Sequence, residues 1–240
     1  MNLFENEESV RWMRFLSRFA VIPAIATATL VVSLAAVIKM YGTTPVDSQF
    51  LSAATSNLAP LRVLGFSQIF LWFSIGGLLL AFAAMYKPYA PIRSRFLSAC
   101  GIGMTIAGTG GIMNISLTEQ MVYGYAGSEA GQVAMLLMQP SLGQVIEAHL
   151  KTGELLSGIG LLLVYSIGIS TSVLPLWLNR WIGLSGLYAL LLILLRLSGI
   201  DVPFVAIPIY VVFFAFSLYL AIAIAIRRFL RANSASHLKL

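Results

Sequence analysis

Long apolar runs separated by short polar stretches dominate the hydrophobic pattern of this chain. A bilayer core about 30 Å thick is crossed by about 20 helical residues, and a window of roughly that length finds six such runs. The runs cover residues 19–41, 62–86, 96–117, 154–174, 178–199 and 203–226. The pattern therefore predicts an all-α membrane protein, a bundle of six transmembrane helices.

Composition agrees with this class and argues against a separate soluble domain. Of the 240 residues, 59% are hydrophobic and only 10% are charged. No stretch is polar enough to fold as a second unit in water, so we expect a single six-helix membrane domain over residues 1–240. Cys100 is the only cysteine, and it lies within an apolar run, which leaves no intrachain disulfide to form.

The basic residues are distributed unevenly between the two sides of the six predicted spans. Of the 15 Lys and Arg residues, eleven fall on one side and four on the other. The eleven are Arg11, Arg14, Arg18, Lys87, Arg93, Arg95, Arg180, Arg227, Arg228, Arg231 and Lys239. Because basic residues are retained on the cytoplasmic side, this bias predicts cytoplasmic termini and a multi-pass protein of the inner (cytoplasmic) cell membrane. The same residues flank the apolar runs rather than forming a separate patch, so no nucleic-acid partner is expected.

Two long connections, residues 42–61 and 118–153, are predicted on the outer side. Within the second, GQVAMLLMQP (residues 131–140) is too short to span and is expected at the membrane surface or dipping into the bundle. Met121, Met135 and Met138 are interpreted as packing residues rather than as ligands of a soft metal.

The third predicted span is rich in glycine and other small residues, in the sequence FLSACGIGMTIAGTGGIMNISL. Small residues three and four apart let membrane helices approach closely, so this span is expected to be central. No strand precedes the glycines and no Lys-Ser/Thr pair follows them, which argues against a phosphate-binding loop. Leu192, in the fifth span, is expected to face lipid instead.

Two sequence elements resemble a known family. In EAHLKTGELLSGIGLLLVYSIGIS, an acidic residue and a histidine (Glu147, His149) precede Gly153 and a Gly/Leu-rich span. In LPLWLNRWIGLSGLYALLLIL, a short turn leads into the next span, although with residues inserted relative to the family's LPRWLG type. Residues 145–195 thereby resemble the second half of a prokaryotic family of six-helix membrane proteins of unknown function. The resemblance implies a six-helix fold and no established activity.

Polar residues predicted near the outer ends of several spans form the candidate site. They are Arg62, Asn114, Glu119, Glu147, His149, Lys151, Glu154, Arg196 and Asp201. On a helix, Glu147, Lys151 and Glu154 share one stripe, whereas His149 points about 160° away from the centre of that stripe. Glu147 and His149 therefore cannot bind one metal ion from a straight helix, and no metal, cofactor or catalytic residue is predicted.

Two interpretations of this polar layer remain open. In the first, residues 144–154 form a solvated extension of the fourth span, stabilised by charge pairs four residues apart. In the second, polar groups from several helices converge, with Glu154 paired to Arg196 or Arg62 and with Asp201 the acid nearest to Arg196 in sequence.

Three functional classes follow from these features. The first is a non-catalytic membrane protein that binds a membrane lipid, a partner protein or a second copy of itself through the outer polar layer. The second is a small transporter or proton-linked permease with an outer polar vestibule, although no charge is expected near the middle of the membrane. The third is a membrane enzyme, for which His149 is the only plausible base and no nucleophile stands beside it in sequence. The first class is preferred.

Overall fold

The computed structural model describes residues 7–41, 48–198 and 217–237. These residues form α-helices joined by short connections, with no β-strand among them. The helices are α1 (Glu7–Phe19), α2 (Val21–Tyr41), α3 (Ser48–Ser56), α4 (Ala59–Tyr86), α5 (Pro91–Gly127), α6 (Glu129–Thr171), α7 (Leu176–Leu197) and α8 (Ser217–His237). The prediction of an all-α membrane protein is confirmed.

Five segments of the described chain are long and apolar enough to cross a membrane. They are Glu7–Tyr41, Ala59–Tyr86, Pro91–Gly127, Lys151–Thr171 and Leu176–Leu195. These segments correspond to the first five predicted spans. The sixth predicted span, residues 203–226, begins outside the described residues, and its last part from residue 217 lies in α8.

The first membrane segment begins earlier than the apolar run at residue 19 predicted. Helix α1 precedes α2 and is amphipathic: Met13 and Leu16 are fully buried, whereas Arg14 is exposed. The polar face of such a helix lowers its mean hydropathy, so a search for apolar segments does not detect it. The N–H of Ala20 donates to the carbonyl of Leu16 at 2.9 Å, and the chain continues directly into α2.

Helices α4 to α7 pack side by side in sequence order, each against the next. Glycines allow two of these contacts to bring backbones together. A β-carbon at Gly101 of α5 would lie 3.0 Å from the carbonyl oxygen of Gly76 on α4. A β-carbon at Gly186 of α7 would lie 3.0 Å from the carbonyl oxygen of Gly158 on α6. The predicted close approach at small residues is therefore present in the structure.

One end of the bundle, called the basic end, contains the turns 87–90 and 172–175 and the start of α1. Two hydrogen bonds between helices tie this end together, and a third lies deeper, where α1 and α8 pack. Ser9 Oγ donates to the carbonyl of Met85 at 3.3 Å. Arg93 Nη1 donates to Ser170 Oγ at 3.3 Å, and Arg227 Nε donates to the carbonyl of Ser17 at 3.2 Å.

At the opposite end, α5 and α6 extend far beyond the length that a bilayer requires. Helix α5 has 37 residues and α6 has 43. At 1.5 Å per residue their lengths are about 56 and 65 Å, against a hydrocarbon core of about 30 Å. A single residue, Ser128, separates them, and its hydroxyl accepts from the N–H of Gly131 at 3.0 Å as the N-cap of α6.

The predicted long connection over residues 118–153 is therefore helical apart from Ser128, and residues 144–154 do form a helical extension of the fourth span. The short apolar stretch within it continues as helix because α5 and α6 pack on each other beyond the predicted spans. Met135 of α6 lies against Gly124 of α5, at 3.0 Å from the position of a β-carbon there. Met121 is buried in the same apolar cluster, in agreement with its interpretation as a packing residue.

The expectation that the third span is central is also wrong, because α4 holds that position. In α4, 67% of the most apolar window is buried, against 28% in α5. Helix α5 does lie between α4 and α6, but its opposite face exposes Ile102, Ile106 and Ile112. The small residues of α5 account for its close contact with α4, but they do not require other helices to surround α5.

Candidate functional site

The side chain of His149 lies where α4, α5 and α6 meet. Its imidazole occupies the space beside Gly110 of α5, where a β-carbon would overlap the ring. The histidine is partly buried in this position. Glycine at residue 110 is therefore what allows His149 to point between the helices.

A small cleft adjoins the His149 ring. The space that it encloses is about 10 Å³, room for about one water-sized group. It is lined by Gln68, Ile69 and Trp72 of α4, by Ala107, Gly108 and Gly111 of α5, and by His149 of α6. Two of these side chains, Gln68 and His149, carry hydrogen-bonding groups, and the rest of the wall is apolar apart from the indole N–H of Trp72.

The helix contacts place the cleft at the level of the middle of α4. Trp72 is the fourteenth of the 28 residues of α4, and its indole lies against Gly153 of α6. Gln68, one turn away, is about 6 Å further along the axis. His149 lies two residues before the membrane segment that begins at Lys151, so the cleft lies where α6 enters that segment.

The same contact fixes the level of two charged residues of the predicted site. Lys151 and Glu154 flank Gly153 closely in sequence, and both are partly buried. They therefore lie level with the central turns of α4 rather than at its end. Lys151 is also the first residue of the membrane segment of α6 and Glu154 lies in its first turn, so both are ionisable groups at a boundary of that segment and are functional candidates.

A second polar group lies nearer to the end of the bundle that is opposite the basic end. Arg62 Nε donates to Glu119 Oε1 at 2.6 Å and forms an ion pair between α4 and α5. Arg62 Nη2 is 3.4 Å from the hydroxyl oxygen of Tyr123. Both partners of the ion pair are partly exposed, so the pair tethers two helices rather than forming a desolvated charge site.

The remaining residues of the predicted site are only partly described or not described. Asn114, Glu147 and Arg196 belong to α5, α6 and α7, and their side chains lie outside the described part of the structure. Asp201 lies outside the described residues altogether. Of the nine predicted residues, the structure thus brings Arg62 together with Glu119. His149, Lys151 and Glu154 lie within two turns of each other on α6.

The sequence analysis missed Gln68 and Trp72. Both lie within an apolar run, where one amide and one indole do not alter the hydropathy pattern. A polar amide in the middle of a predicted span was nevertheless a usable signal, since such groups usually face other helices rather than lipid.

The chemistry available in the cleft is hydrogen bonding beside an apolar surface. Neutral imidazole offers one donor and one acceptor, and the Gln68 amide offers both. Trp72 and Ile69 provide apolar area for a ring or an alkyl segment. Among the described residues, no three His, Cys, Asp or Glu side chains are grouped so that they could hold a metal ion.

No protein-family model, curated protein or solved structure matches the chain. The resemblance of residues 145–195 to a six-helix family therefore stays a prediction, and the function is argued from the site.

Proposed function

We propose that this protein is a non-catalytic, six-span protein of the inner cell membrane that binds the polar head of a membrane lipid in the cleft between α4, α5 and α6. The observation that carries the proposal is the position of His149 and Gln68 in a small, otherwise apolar cleft between three helices, where α6 enters its membrane segment. Polar side chains that are partly buried among membrane helices are costly unless they have a partner or a ligand.

The size of the cleft favours a lipid over a water-soluble substrate. Sites that enclose a whole small molecule measure about 300–1,000 Å³. The space enclosed by the cleft, about 10 Å³, is far below that range and takes about one water-sized group. A lipid needs to place only one polar atom of its head group in such a space, because the rest of the molecule stays outside the cleft.

The wall of the cleft matches the same kind of ligand. His149 and Gln68 are suited to hydrogen-bond an ester, amide or phosphate oxygen. Trp72 and Ile69 provide the apolar surface that the adjoining alkyl segment requires. The ion pair of Arg62 with Glu119 lies beyond the cleft, toward the end opposite the basic end.

Filling the cleft tests this proposal. Ala107→Leu adds bulk to the cleft wall, whereas Ile106→Leu is a matched control on an exposed position of the same helix. In proteoliposomes containing an alkyne-tagged phosphatidylethanolamine with a diazirine beside its head group, we expect photolabelling of α4–α6 peptides. Labelling should fall at least about fivefold in Ala107→Leu, equivalent to about 1 kcal/mol, and stay unchanged in Ile106→Leu.

Peptide mass spectrometry measures the label, and circular dichroism checks that both variants are folded. Equal labelling of the cleft peptides in a folded Ala107→Leu protein and in the wild type would refute lipid binding at this position.

The proposed topology places the basic end in the cytoplasm, because ten of the eleven basic residues on that side belong to described segments near this end. Reporter fusions at residues 90 and 235 should both report the cytoplasm. A fusion at Gly127, the last residue of α5, should report the opposite side. Any other assignment of these three positions would contradict the proposed orientation.

Transport is the second candidate, and one observation favours it. Lys151 and Glu154 are partly buried ionisable residues at the start of the membrane segment of α6, and ionisable residues in membrane segments mark substrate and proton pathways in transporters. Proton-linked uptake into vesicles that disappears in Glu154→Gln but persists in Glu119→Gln would favour transport over lipid binding.

A further inference from the structure

Helix α1 packs against the bundle with one face and carries exposed arginines on the other. Arg11, Arg14 and Arg18 are exposed and are spaced three and four residues apart, so they share one face. The opposite face packs on α4 and α8 through buried residues that include Met13 and Leu16. The arginine stripe therefore points away from the protein core.

The position of this stripe relative to α4 gives its depth. Ser9 bonds to Met85, at the basic end of α4, and the Phe19 ring packs against Gly77. Gly77 lies nine residues before the end of α4, and at 1.5 Å per residue that distance is about 13 Å. Arg18, next to Phe19, is thus well inside the end of α4 rather than in open solvent.

Helix α8 brings further arginines to the same level from the other end of the sequence. Arg227 Nε donates to the carbonyl of Ser17 at 3.2 Å, which satisfies one of the last carbonyls of α1. Arg227, Arg228 and Arg231 are all exposed. Arg18 and Arg228 directly follow the two residues that are joined by this bond, so the two groups of arginines meet where α1 and α8 pack.

Aromatic side chains lie beside the arginines on α1. Trp12 and Phe15 pack edge to face at 5.6 Å between ring centroids, and Phe15 and Phe19 stack at 5.0 Å. Phe15 is 44% exposed. Exposed aromatic rings next to basic residues are typical of the boundary between head groups and acyl chains.

We propose that α1 and α8 form a binding surface for an anionic phospholipid, whose phosphate is held by Arg14, Arg18 and Arg228 and whose chains lie against Phe15. Arginine binds phosphate through two parallel hydrogen bonds, and basic surfaces between membrane helices bind anionic head groups. Basic residues that only determine the membrane topology do not need to lie at one depth. These arginines, in contrast, lie at a similar level on two helices that pack together.

The depth of the surface selects a lipid rather than a soluble anion. Arginines within the bilayer boundary extend toward the head groups, where lipid phosphates are concentrated. This surface is at the basic end and is separate from the cleft at His149.

Lipid binding by the purified full-length protein tests the proposal. Native mass spectrometry in detergent, with added cardiolipin, phosphatidylglycerol or phosphatidylcholine, gives the dissociation constant of each lipid. We expect cardiolipin and phosphatidylglycerol to bind at least about tenfold more tightly than phosphatidylcholine. The triple variant Arg14→Gln/Arg18→Gln/Arg228→Gln should lose this preference.

A charge-matched control separates a specific surface from net charge. Lys87→Gln/Arg95→Gln/Arg180→Gln removes three exposed positive charges from the same end of the bundle and should keep the preference. If the first variant does not fold, Arg14→Lys/Arg18→Lys keeps the charge and should still weaken cardiolipin binding severalfold, because lysine lacks the paired donors. An equal loss in both triple variants, or competition by millimolar inorganic phosphate, would overturn the proposal.

Discussion

Gly153→Ala is expected to destabilise the folded protein, although helix propensity alone predicts the opposite. In a helix interior, alanine is about 1 kcal/mol more favourable than glycine. At residue 153, however, a β-carbon would overlap the six-membered ring of Trp72. That indole is only 9% exposed and is packed in the main apolar cluster. Because overpacking of a fixed core costs about 1–3 kcal/mol or more, we expect a net loss of about 2 kcal/mol in the free energy of unfolding in detergent.

Removal of the indole should reverse this effect. In a Trp72→Leu background, Gly153→Ala should be neutral or stabilising, which gives a coupling energy of about 2 kcal/mol in a double-mutant cycle. Gly127→Ala is the control, since a β-carbon at Gly127 would meet nothing within 4 Å. A higher melting temperature for Gly153→Ala in the wild-type background would contradict the described contact between α4 and α6.

The membrane segments could be predicted because a bilayer requires about 20 apolar residues from each helix. The ends of α5 and α6 could not be predicted in the same way. Outside the bilayer, a moderately polar chain is stable as loop or as helix, and packing between neighbours decides. For residues 118–153, contacts such as Met135 against Gly124 favour helix.

The sequence also did not indicate which side of an apolar helix faces lipid. Leu192 was expected to face lipid, but it is 7% exposed, whereas Leu191 is 50% exposed. Helix α7 is apolar on all sides, so no contrast between polar and apolar faces indicates its orientation. Lipid and protein interior are similar in polarity, and only the packing of neighbouring helices separates the two environments.

For the candidate site, too, the types of side chain could be predicted from the sequence, whereas the pairing of residues across helices could not. His149 was identifiable as the histidine beside a membrane span, and the glycines of α5 indicated a close helix contact. That Gly110 faces His149, and that Gln68 and Trp72 lie opposite, depends on the relative shift of three helices along their axes. A shift of one turn, about 5.4 Å, would bring different residues together without changing the hydropathy pattern.

Gly110→Ala is expected to abolish ligand binding while leaving stability nearly unchanged. A β-carbon at Gly110 would overlap the end of the His149 ring rather than a fixed backbone. Rotation of the His149 side chain relieves this overlap at a cost of about 0.5–1.5 kcal/mol. The gain in helix propensity, about 1 kcal/mol, offsets that cost. The imidazole then no longer points into the cleft, so photolabelling of α4–α6 peptides should fall as far as it does in His149→Ala.

The double variant separates displacement of His149 from general damage to the packing. In a His149→Ala background the three atoms nearest to the new β-carbon, all of the His149 ring, are gone, so Gly110→Ala should raise the free energy of unfolding by about 1 kcal/mol through propensity. Photolabelling should show no further loss, because both changes remove the same imidazole from the cleft. A destabilisation by Gly110→Ala as large as that by Gly153→Ala would mean that the ring cannot move. Unchanged labelling in a folded Gly110→Ala protein would show that His149 does not contact the ligand.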